Sequence, residues 1–309
     1  MAELFDVVIV GAGPGGLCAA LYCTRAGLTS VILDRGPAGG QINNTEAVEN
    51  YLGIIHAEGP ELAQKMTEHV AALGIEVTYA NVEKVTREED GAFTVHTDGD
   101  DEFRGRACIY CAGSHPRYLG VPGEQEYRTG GVSYCATCDG FFYKGKDVVV
   151  VGGGDAAIEE SIYLTKIVNT VRCVHRRDEL RAQQVLQDRA FEKENFGVTW
   201  HSIVEEIVGE NGRVTGVRLL NKKTGERTLV SCDGVFIYVG NLPNSEAVRD
   251  LVDTDENGYV VVDHLMRSSV PGLYAIGDVR IDSVRQIASA VGDGATAAVA
   301  AVAYVNAQG

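Results

Sequence analysis

Positive charge is what this 309-residue chain has least of: 27 Lys and Arg stand against 43 Asp and Glu, a formal net charge of −16. So acidic a chain carries no electrostatic footprint for a polyanion, which argues against nucleic acid or an anionic membrane as a partner. No apolar run approaches the ~18 residues of a membrane span. The longest, residues 295–305, is too short. Met1-Ala2-Glu3 leads directly into Leu4-Phe5-Asp6-Val7-Val8-Ile9-Val10, without the basic segment and cleavage site of a leader. Cysteine is sparse too, eight in all. With no leader, that count points to a reducing, cytoplasmic setting in which a disulfide is catalytic and not structural. What remains, 45% hydrophobic and 23% charged residues over the length of two ordinary domains, is the balance of a globular protein.

Two stretches share one pattern. The aliphatic run 4–10 ends in Gly11-Ala12-Gly13-Pro14-Gly15-Gly16; an alanine-rich helical segment, 17–26, closes at Gly27; the run 29–33 leads to Asp34. Strand, glycine turn, helix and a strand with a terminal acid make a βαβ dinucleotide unit. The glycines let backbone approach a pyrophosphate, and the helix start offers it unpaired N–H groups. Asp34 is placed to accept from a ribose hydroxyl. The competing reading is a merely tight strand–helix turn. The pattern returns 141 residues later, with a strand at 147–151, the turn Gly152-Gly153-Gly154-Asp155-Ala156-Ala157, a helix at 158–167 and a strand at 170–174. Where Asp34 stands in the first unit the second has His175, followed by Arg176, Arg177 and, soon after, Arg181. Guanidinium groups fork onto a 2′-phosphate that a carboxylate would repel. The second unit therefore reads as an NADP site; Asp178 and Glu179 keep open the alternative of a solvated basic turn.

The chemistry concentrates in Ser133-Tyr134-Cys135-Ala136-Thr137-Cys138-Asp139-Gly140. Two cysteines three apart can close into a ring and reopen, with a thiolate as the nucleophile. Asp139 is placed to move a proton on or off the neighbouring sulfur. Half of a structural zinc site is the alternative, and it needs four ligands. A second Cys-x-x-Cys, Cys108-Ile109-Tyr110-Cys111, lies in an apolar strand-like run. Residues three apart there project to opposite faces, about 10 Å apart, out of reach of a disulfide or a shared metal. Cys108 and Cys111 are thus core thiols, and Cys18, Cys23, Cys173 and Cys232 read as core or helix-face residues. His56, His69, His96 and His264 stand alone, with no ligand role. Redox chemistry is the better reading, with Cys135 and Cys138 at a helix start, where the dipole lowers a thiol pKa.

Residues 58–73 read as an amphipathic helix and 75–103 as a small meander with turns at 90–91 and 98–100. Residues 107–111 return to the main sheet and 115–117 lead out of it. A second meander follows at 199–230, a connection back at 241–244, a strand at 272–276 ending in Gly277-Asp278, and a small-residue helix at 284–306. The expected fold is α/β: two Rossmann-like nucleotide-binding domains of the three-layer ββα type. The second, 115–244, is inserted in the first, 1–114 and 245–309.

This constellation resembles the low-molecular-weight thioredoxin reductases over almost the whole chain. The matching pieces, in order, are Gly11–Gly16, Gly39-Gly40-Gln41, Cys135–Asp139, Gly152–Ala157, His175-Arg176-Arg177 with Arg181, and Gly277-Asp278 with Arg285-Gln286-Ile287. The resemblance implies a homodimeric flavoprotein that passes two electrons from NADPH through FAD and the Cys135–Cys138 pair to thioredoxin. For FAD it implies Gly11, Gly13, Pro14, Gly15, Asp34, Arg35, Gly39, Gly40, Gln41, Asn50, Val82, Gly113, Gly277, Asp278, Arg285, Gln286 and Ile287. Of these, Asp278 would hold the ribityl chain and backbone at 285–287 would contact the ring. For NADPH it implies Gly152, Gly154, Asp155, Ala156, His175, Arg176, Arg177 and Arg181. Cys138 would face the flavin, Cys135 would attack the thioredoxin disulfide, and Asp139 would be the acid. Rotation of the inserted domain, about connections near 115–119 and 240–244, would present the dithiol to each in turn. The pattern departs at Cys111-Ala112-Gly113-Ser114, where the family commonly shows Ala-Thr-Gly-Ala, and modest repacking is expected there. No redox extension flanks the sequence, which points away from the high-molecular-weight reductases and from relatives with a fused thioredoxin-like segment. The alternative is the same scaffold fed by ferredoxin or NADH, or acting on another disulfide or as a dithiol oxidase. The turn at Gly152 and the three arginines speak against a scaffold that keeps FAD and the cysteines but has lost NADPH.

Overall fold

In the computed structural model residues 3–45, 48–99 and 101–308 are described. Met1, Ala2 and Asp100, the last residue of the turn expected at 98–100, lie outside the described residues. The chain forms two compact units, Met1–His115 with Leu242–Gly309, and Pro116–Asn241.

The first unit opens with β1 (Leu4–Val10), α1 (Pro14–Arg25) and β2 (Ser30–Asp34). There follow α2 (Gly59–Ala71), β3 (Val77–Tyr79), β4 (Val82–Arg87), β5 (Phe93–Thr97) and the long β6 (Glu102–Tyr110), with β7 (Ser114–Pro116) at the exit. The second unit holds β8 (Val132–Ser133), α3 (Ala136–Asp139), β9 (Asp147–Gly152), α4 (Asp155–Leu164), β10 (Thr170–Val174), α5 (Gln184–Phe191) and β11 (Phe196–Thr199). Next come β12 (Ser202–Glu210), β13 (Arg213–Asn221), β14 (Arg227–Ser231) and β15 (Gly234–Tyr238). The chain returns through β16 (Asn241–Pro243) to β17 (Leu273–Ala275) and α6 (Ile287–Asn306).

β1 is apolar at successive positions because it is covered on both faces. Val7 and Ile9 pack with Leu17, Ala19 and Ala20 of α1 and with Ala297, Ala298 and Ala301 of α6. Val8 and Val10 pack instead with Val85, Phe93 and Val95 of the meander. The sheet runs β3-β2-β1-β6 in parallel, continues antiparallel into β5 and β4, and takes β17 alongside the end of β6. Helices on one face and a β layer on the other give the three-layer arrangement. Small residues let α1 and α6 approach: a Cβ added to Gly15 would lie 3.1 Å from the Ala290 carbonyl.

The second unit repeats the scheme on a parallel sheet ordered β11-β10-β9-β15-β8. Val149 and Val151 face Val204, Ile207, Val217 and Leu219 of the antiparallel sheet β12-β13-β14. Val148 and Val150 face Ala157 and Leu164 of α4.

Three helix starts lie three residues from where the sequence suggests them. α1 begins at Pro14, not 17, since a proline suits the first helical position. α4 covers 155–164 instead of 158–167, because Gly154 in extended conformation caps it. α6 begins at 287, not 284: Arg285 is left-handed at φ 56°, and Gln286 then caps the helix by exchanging hydrogen bonds with Ser289. With 20 residues and a mean hydropathy of 1.4 over its best window, α6 meets the length and composition of a membrane span, which the run 295–305 did not suggest. Here it packs along α1 and carries a buried aspartate, Asp293.

Candidate active site

Cys135 and Cys138 are joined in a disulfide, their Cα atoms 5.3 Å apart. Cys135 is the N-cap of α3, and its Sγ accepts the Cys138 N–H at 3.2 Å. An amide aimed at a sulfur favours its thiolate. Ser133, buried in β8, arranges the rest. Its Oγ donates to Asp139 Oδ2 at 2.6 Å and accepts the Cys135 N–H at 3.1 Å, so carboxylate and dithiol are fixed to one hydroxyl. From β15, the Tyr238 hydroxyl accepts the Ala136 N–H at 2.6 Å. Just upstream the buried Glu124 accepts from Leu119 N at 2.9 Å, Gly120 N at 2.7 Å and the Tyr134 hydroxyl at 2.9 Å. Tyr238 and Glu124 carry no motif. Their partners lie 4 to 102 residues away, and only the fold pairs them. Among the described residues no three His, Cys, Asp or Glu side chains come together as a metal site.

In the first unit β1, β2, β6 and β17 all end on the same side, the carboxyl ends of parallel strands where such folds bind ligands. Gly11 has φ +111°, and a side chain there would collide with the Cys111 carbonyl. Cys111 Sγ donates to the Gly11 carbonyl at 3.0 Å, so the cysteine that departs from the family pattern ties β6 to the glycine turn. Burial first, then Asp34 and Cys108, push its thiol well above the usual range. Cys108 packs on the opposite face of the sheet, and burial pushes it up to about 12. Asp34 accepts from Ala12 N at 2.6 Å through Oδ2 and from Gly36 N at 2.8 Å through Oδ1. It thereby shapes the turn, and each oxygen keeps a lone pair for a ligand hydroxyl. The loop of Gly39 and Gly40 closes over the turn: Gly39 N donates to Ala12 O at 2.8 Å, and a Cβ on Gly40 would sit 3.3 Å from Gly13 Cα. Above Gly13 and Gly113 the space is open, with nothing within 4 Å of an added Cβ.

The other first-unit positions fall around this turn. Pro14 opens α1, and Arg35 is exposed beyond β2. Gln41 donates to the Ser114 carbonyl at 3.1 Å, and Asn50 to Gln286 Oε1 at 3.0 Å. Val82 starts β4, two residues after Ala80, whose amide bonds Asp34 O at 2.8 Å. Asp278 follows Gly277 just beyond β17; burial pushes its carboxyl up against the opposing pull of Arg285 and Ser283. Arg285 lies over the Tyr259 ring at 5.4 Å, and Ile287 is the first residue of α6. The Gly277 amide donates to Asp293 at 3.0 Å, while Arg280 grips both oxygens of Asp293 at 2.7 and 2.9 Å. That pair, which sequence reading missed, sets the turn presenting Asp278.

In the second unit Gly152 ends β9 and Gly154 caps α4. His175 does not reach outward: it is 5% exposed, and its Nδ1–H donates to the Gly152 carbonyl at 2.7 Å, behind the turn. A Cβ on Gly153 would strike that ring. Asp155 accepts from Gln183 through both oxygens, at 2.7 and 3.1 Å, and the Gln183 amide and side chain hold its carboxyl below the usual range. Ala156, next to it, is exposed. Arg176, Arg177 and Arg181 are exposed, and among the described residues none takes part in an ion pair. Arg181 is tied to the turn by its amide, which donates to Gly153 O at 2.7 Å, and its guanidinium lies 3.9 Å from an added Cβ on Gly154.

Two glycine turns at strand ends and a disulfide at a helix start define a dinucleotide-linked disulfide oxidoreductase, and similarity to known proteins agrees. Residues 5–294 match the family model described as pyridine nucleotide-disulphide oxidoreductase, and the chain belongs to that family. It is 47% identical over 304 residues to the thioredoxin reductase of Bacillus subtilis (strain 168), covering 98% of this chain and 96% of that protein. To the thioredoxin reductase of Listeria monocytogenes it is 46% identical, again over 304 residues, 98% of this chain and 95% of that one. The crystal structure of thioredoxin reductase from Streptococcus pyogenes superposes with a TM-score of 0.94 at 46% identity, covering 99% of this chain and all of that one (100%).

Proposed function

We propose that the chain is an NADPH-dependent thioredoxin-disulfide reductase, working as a homodimeric cytoplasmic flavoprotein that engages neither nucleic acid nor membrane. The observation that carries this reading is the Cys135–Cys138 disulfide at the start of α3, with Asp139 held by Ser133, in the same unit as an arginine-flanked glycine turn. The names of its relatives support thioredoxin as the substrate. In this reading FAD belongs to 1–114 with 245–309 and NADPH to 115–244. Gly13, Gly113 and Asp278 are the first-unit positions with the room and the acceptor for the flavin dinucleotide, and Arg176, Arg177 and Arg181 supply the charge for a 2′-phosphate. When bound, the flavin relays the two electrons of the NADPH hydride to the disulfide. The chain's own residues do the rest. The Cys135 thiolate, favoured by the Cys138 amide, attacks one sulfur of the substrate disulfide and expels the other. Asp139 protonates the departing sulfur, and Cys138 then attacks Cys135 to release the second. The connections near 115–119 and 240–244 are where such a chain would turn.

The test is NADPH oxidation by the purified chain with a thioredoxin, alongside NADH and reduced ferredoxin as donors. NADPH should support turnover and the other two should not. Cys135→Ser and Cys138→Ser should each abolish thioredoxin reduction while NADPH still bleaches the flavin. Turnover surviving in either variant, or driven by ferredoxin, would overturn the reading.

A further inference from the structure

Leu119 and Gly120 are among the first residues of the second unit, just past β7, and Tyr134 stands directly before Cys135. Glu124, 1% exposed, joins the two places. Its Oε1 accepts both the Leu119 N–H and the Tyr134 O–H, each at 2.9 Å, and its Oε2 accepts the Gly120 N–H at 2.7 Å. The turn that carries it is seated on β12. Ile207 N donates to the Pro122 carbonyl at 2.9 Å, and a side chain on Gly123, where φ is +83°, would strike the Ile207 carbonyl. The Tyr134 ring has two further neighbours: the Tyr118 ring meets it edge to face, 5.8 Å between centroids, and the Arg128 guanidinium lies 5.9 Å from its centroid. Burial, then Glu124, pushes the Tyr134 hydroxyl above its usual range, so it stays a donor. On either side of Tyr134 are the groups that order the site: the Ser133 hydroxyl, which donates to Asp139, and the Cys135 amide that it accepts. Burying a charge costs free energy, yet Glu124 moves no proton in the reaction proposed above. What it does is hold three donors.

We propose that Glu124 is a positioning residue for the dithiol: it makes the stretch by which the chain enters the second unit and the stretch that carries Cys135 and Cys138 one rigid piece. A carboxylate has acceptor sites for all three donors, so one side chain fixes a backbone corner and a phenol together. A shift of residues 119–120 is thereby passed to Tyr134, and from Tyr134 to the Ser133 hydroxyl that orders Asp139 and the Cys135 amide. With that carboxylate gone, two amides and a phenol lose their acceptor in a buried place, and both stretches loosen. This inference rests on the dithiol being redox-active as proposed above, and needs neither NADPH nor thioredoxin for its test.

Two variants of the full-length protein separate the arms of this link. Glu124→Ala removes every contact, and Tyr134→Phe removes only the one to the dithiol stretch. Hydrogen exchange is followed peptide by peptide in the oxidised proteins. In Glu124→Ala the amides of 119–120 and of 135–136 should both exchange about tenfold faster, while those of β9 keep their protection. In Tyr134→Phe only 135–136 should speed up. The second readout is chemical. Each protein is reduced with dithiothreitol, freed of it and mixed with dithiobis(2-nitrobenzoate); the dithiol closes to its disulfide and two thionitrobenzoates are released. The oxidised protein, treated alike, corrects for the other cysteines. Release should be about tenfold slower in Glu124→Ala, the scale of a small misplacement of reacting groups, and slower by less in Tyr134→Phe. Tyr134→Phe carries the test alone if Glu124→Ala does not fold. Unchanged release and unchanged exchange at 135–136, or a loss of protection spread equally to β9, would overturn the proposal. If both readouts move as stated while the parent fails to reduce thioredoxin, the substrate assignment falls and the role of Glu124 stands.

Discussion

In the function proposed above, charge at single residues sets which dinucleotide the second unit would take. Arg176, Arg177 and Arg181 face solvent with their charge uncommitted to any carboxylate among the described residues. A charge-assisted hydrogen bond contributes about 1.5–3 kcal/mol, so removing two should weaken NADPH by ~10². The double change Arg176→Ala with Arg177→Ala should raise KM for NADPH, leave kcat nearly unmoved and spare NADH. A variant that still prefers NADPH as strongly as the parent would show the basic turn to be mere surface. Asp278 makes a prediction of the opposite kind. Its carboxyl is pushed above its ordinary value of 3.8, chiefly by burial, so the folded state resists its charge. Its contribution to stability is complete below that ordinary value and is lost as pH rises through the raised one. With the flavin stripped off, Asp278→Asn should therefore gain in urea midpoint relative to the parent as pH rises, while holding FAD less tightly. Parallel curves for the two would refute it. The two glycine turns and the Cys135–Cys138 pair were legible in the sequence because spacing marks them. Tyr238 and Asp293 were not, since each acts on a partner that only the folded chain brings near. His175 was legible as a position but not as a role: its ring turned inward to Gly152.

At the scale of elements, buried runs such as 7–10 and 148–151 announced their strands, because strands covered on both faces are apolar at every position. Helix ends were less readable. Pro14, Gly154 and Gln286 set them through capping geometry that apolar periodicity does not encode. Two-residue β8 has no pattern to read, yet it delivers Ser133 to the site. α6 holds the turn after β17 through Asp293, paired with Arg280 where their side chains are 9% and 13% exposed. Removing one member of so buried a pair strands the other, at a cost of ~3–5 kcal/mol. Asp293→Ala should lower stability by that amount in chemical denaturation and loosen flavin binding, since the Gly277 amide loses its acceptor as well. A loss below ~1 kcal/mol, the range of surface pairs, would mean the pair does not set the turn.

Across the whole molecule, the sequence showed its plan through repetition: one strand–glycine–helix–strand pattern, then a second, then a return to the first in Gly277-Asp278. It could not show that the exit and the return would hydrogen-bond to one another. β7 and β16 form a two-stranded ladder, and Arg117 N donates to Gly240 O at 2.9 Å just inside it. Paired strands run about 4.8 Å apart, so the chain leaves and re-enters at nearly one point. A loop of a few residues could bridge that gap, and every strand of the seven-stranded sheet would remain. Residues 116–241 are therefore a cassette, one unbroken stretch of reading frame with neighbouring ends. Such a stretch can be exchanged by recombination in a single event, so a lineage could acquire a different glycine turn or a different dithiol without rewriting the sheet from which the stretch leaves and to which it returns.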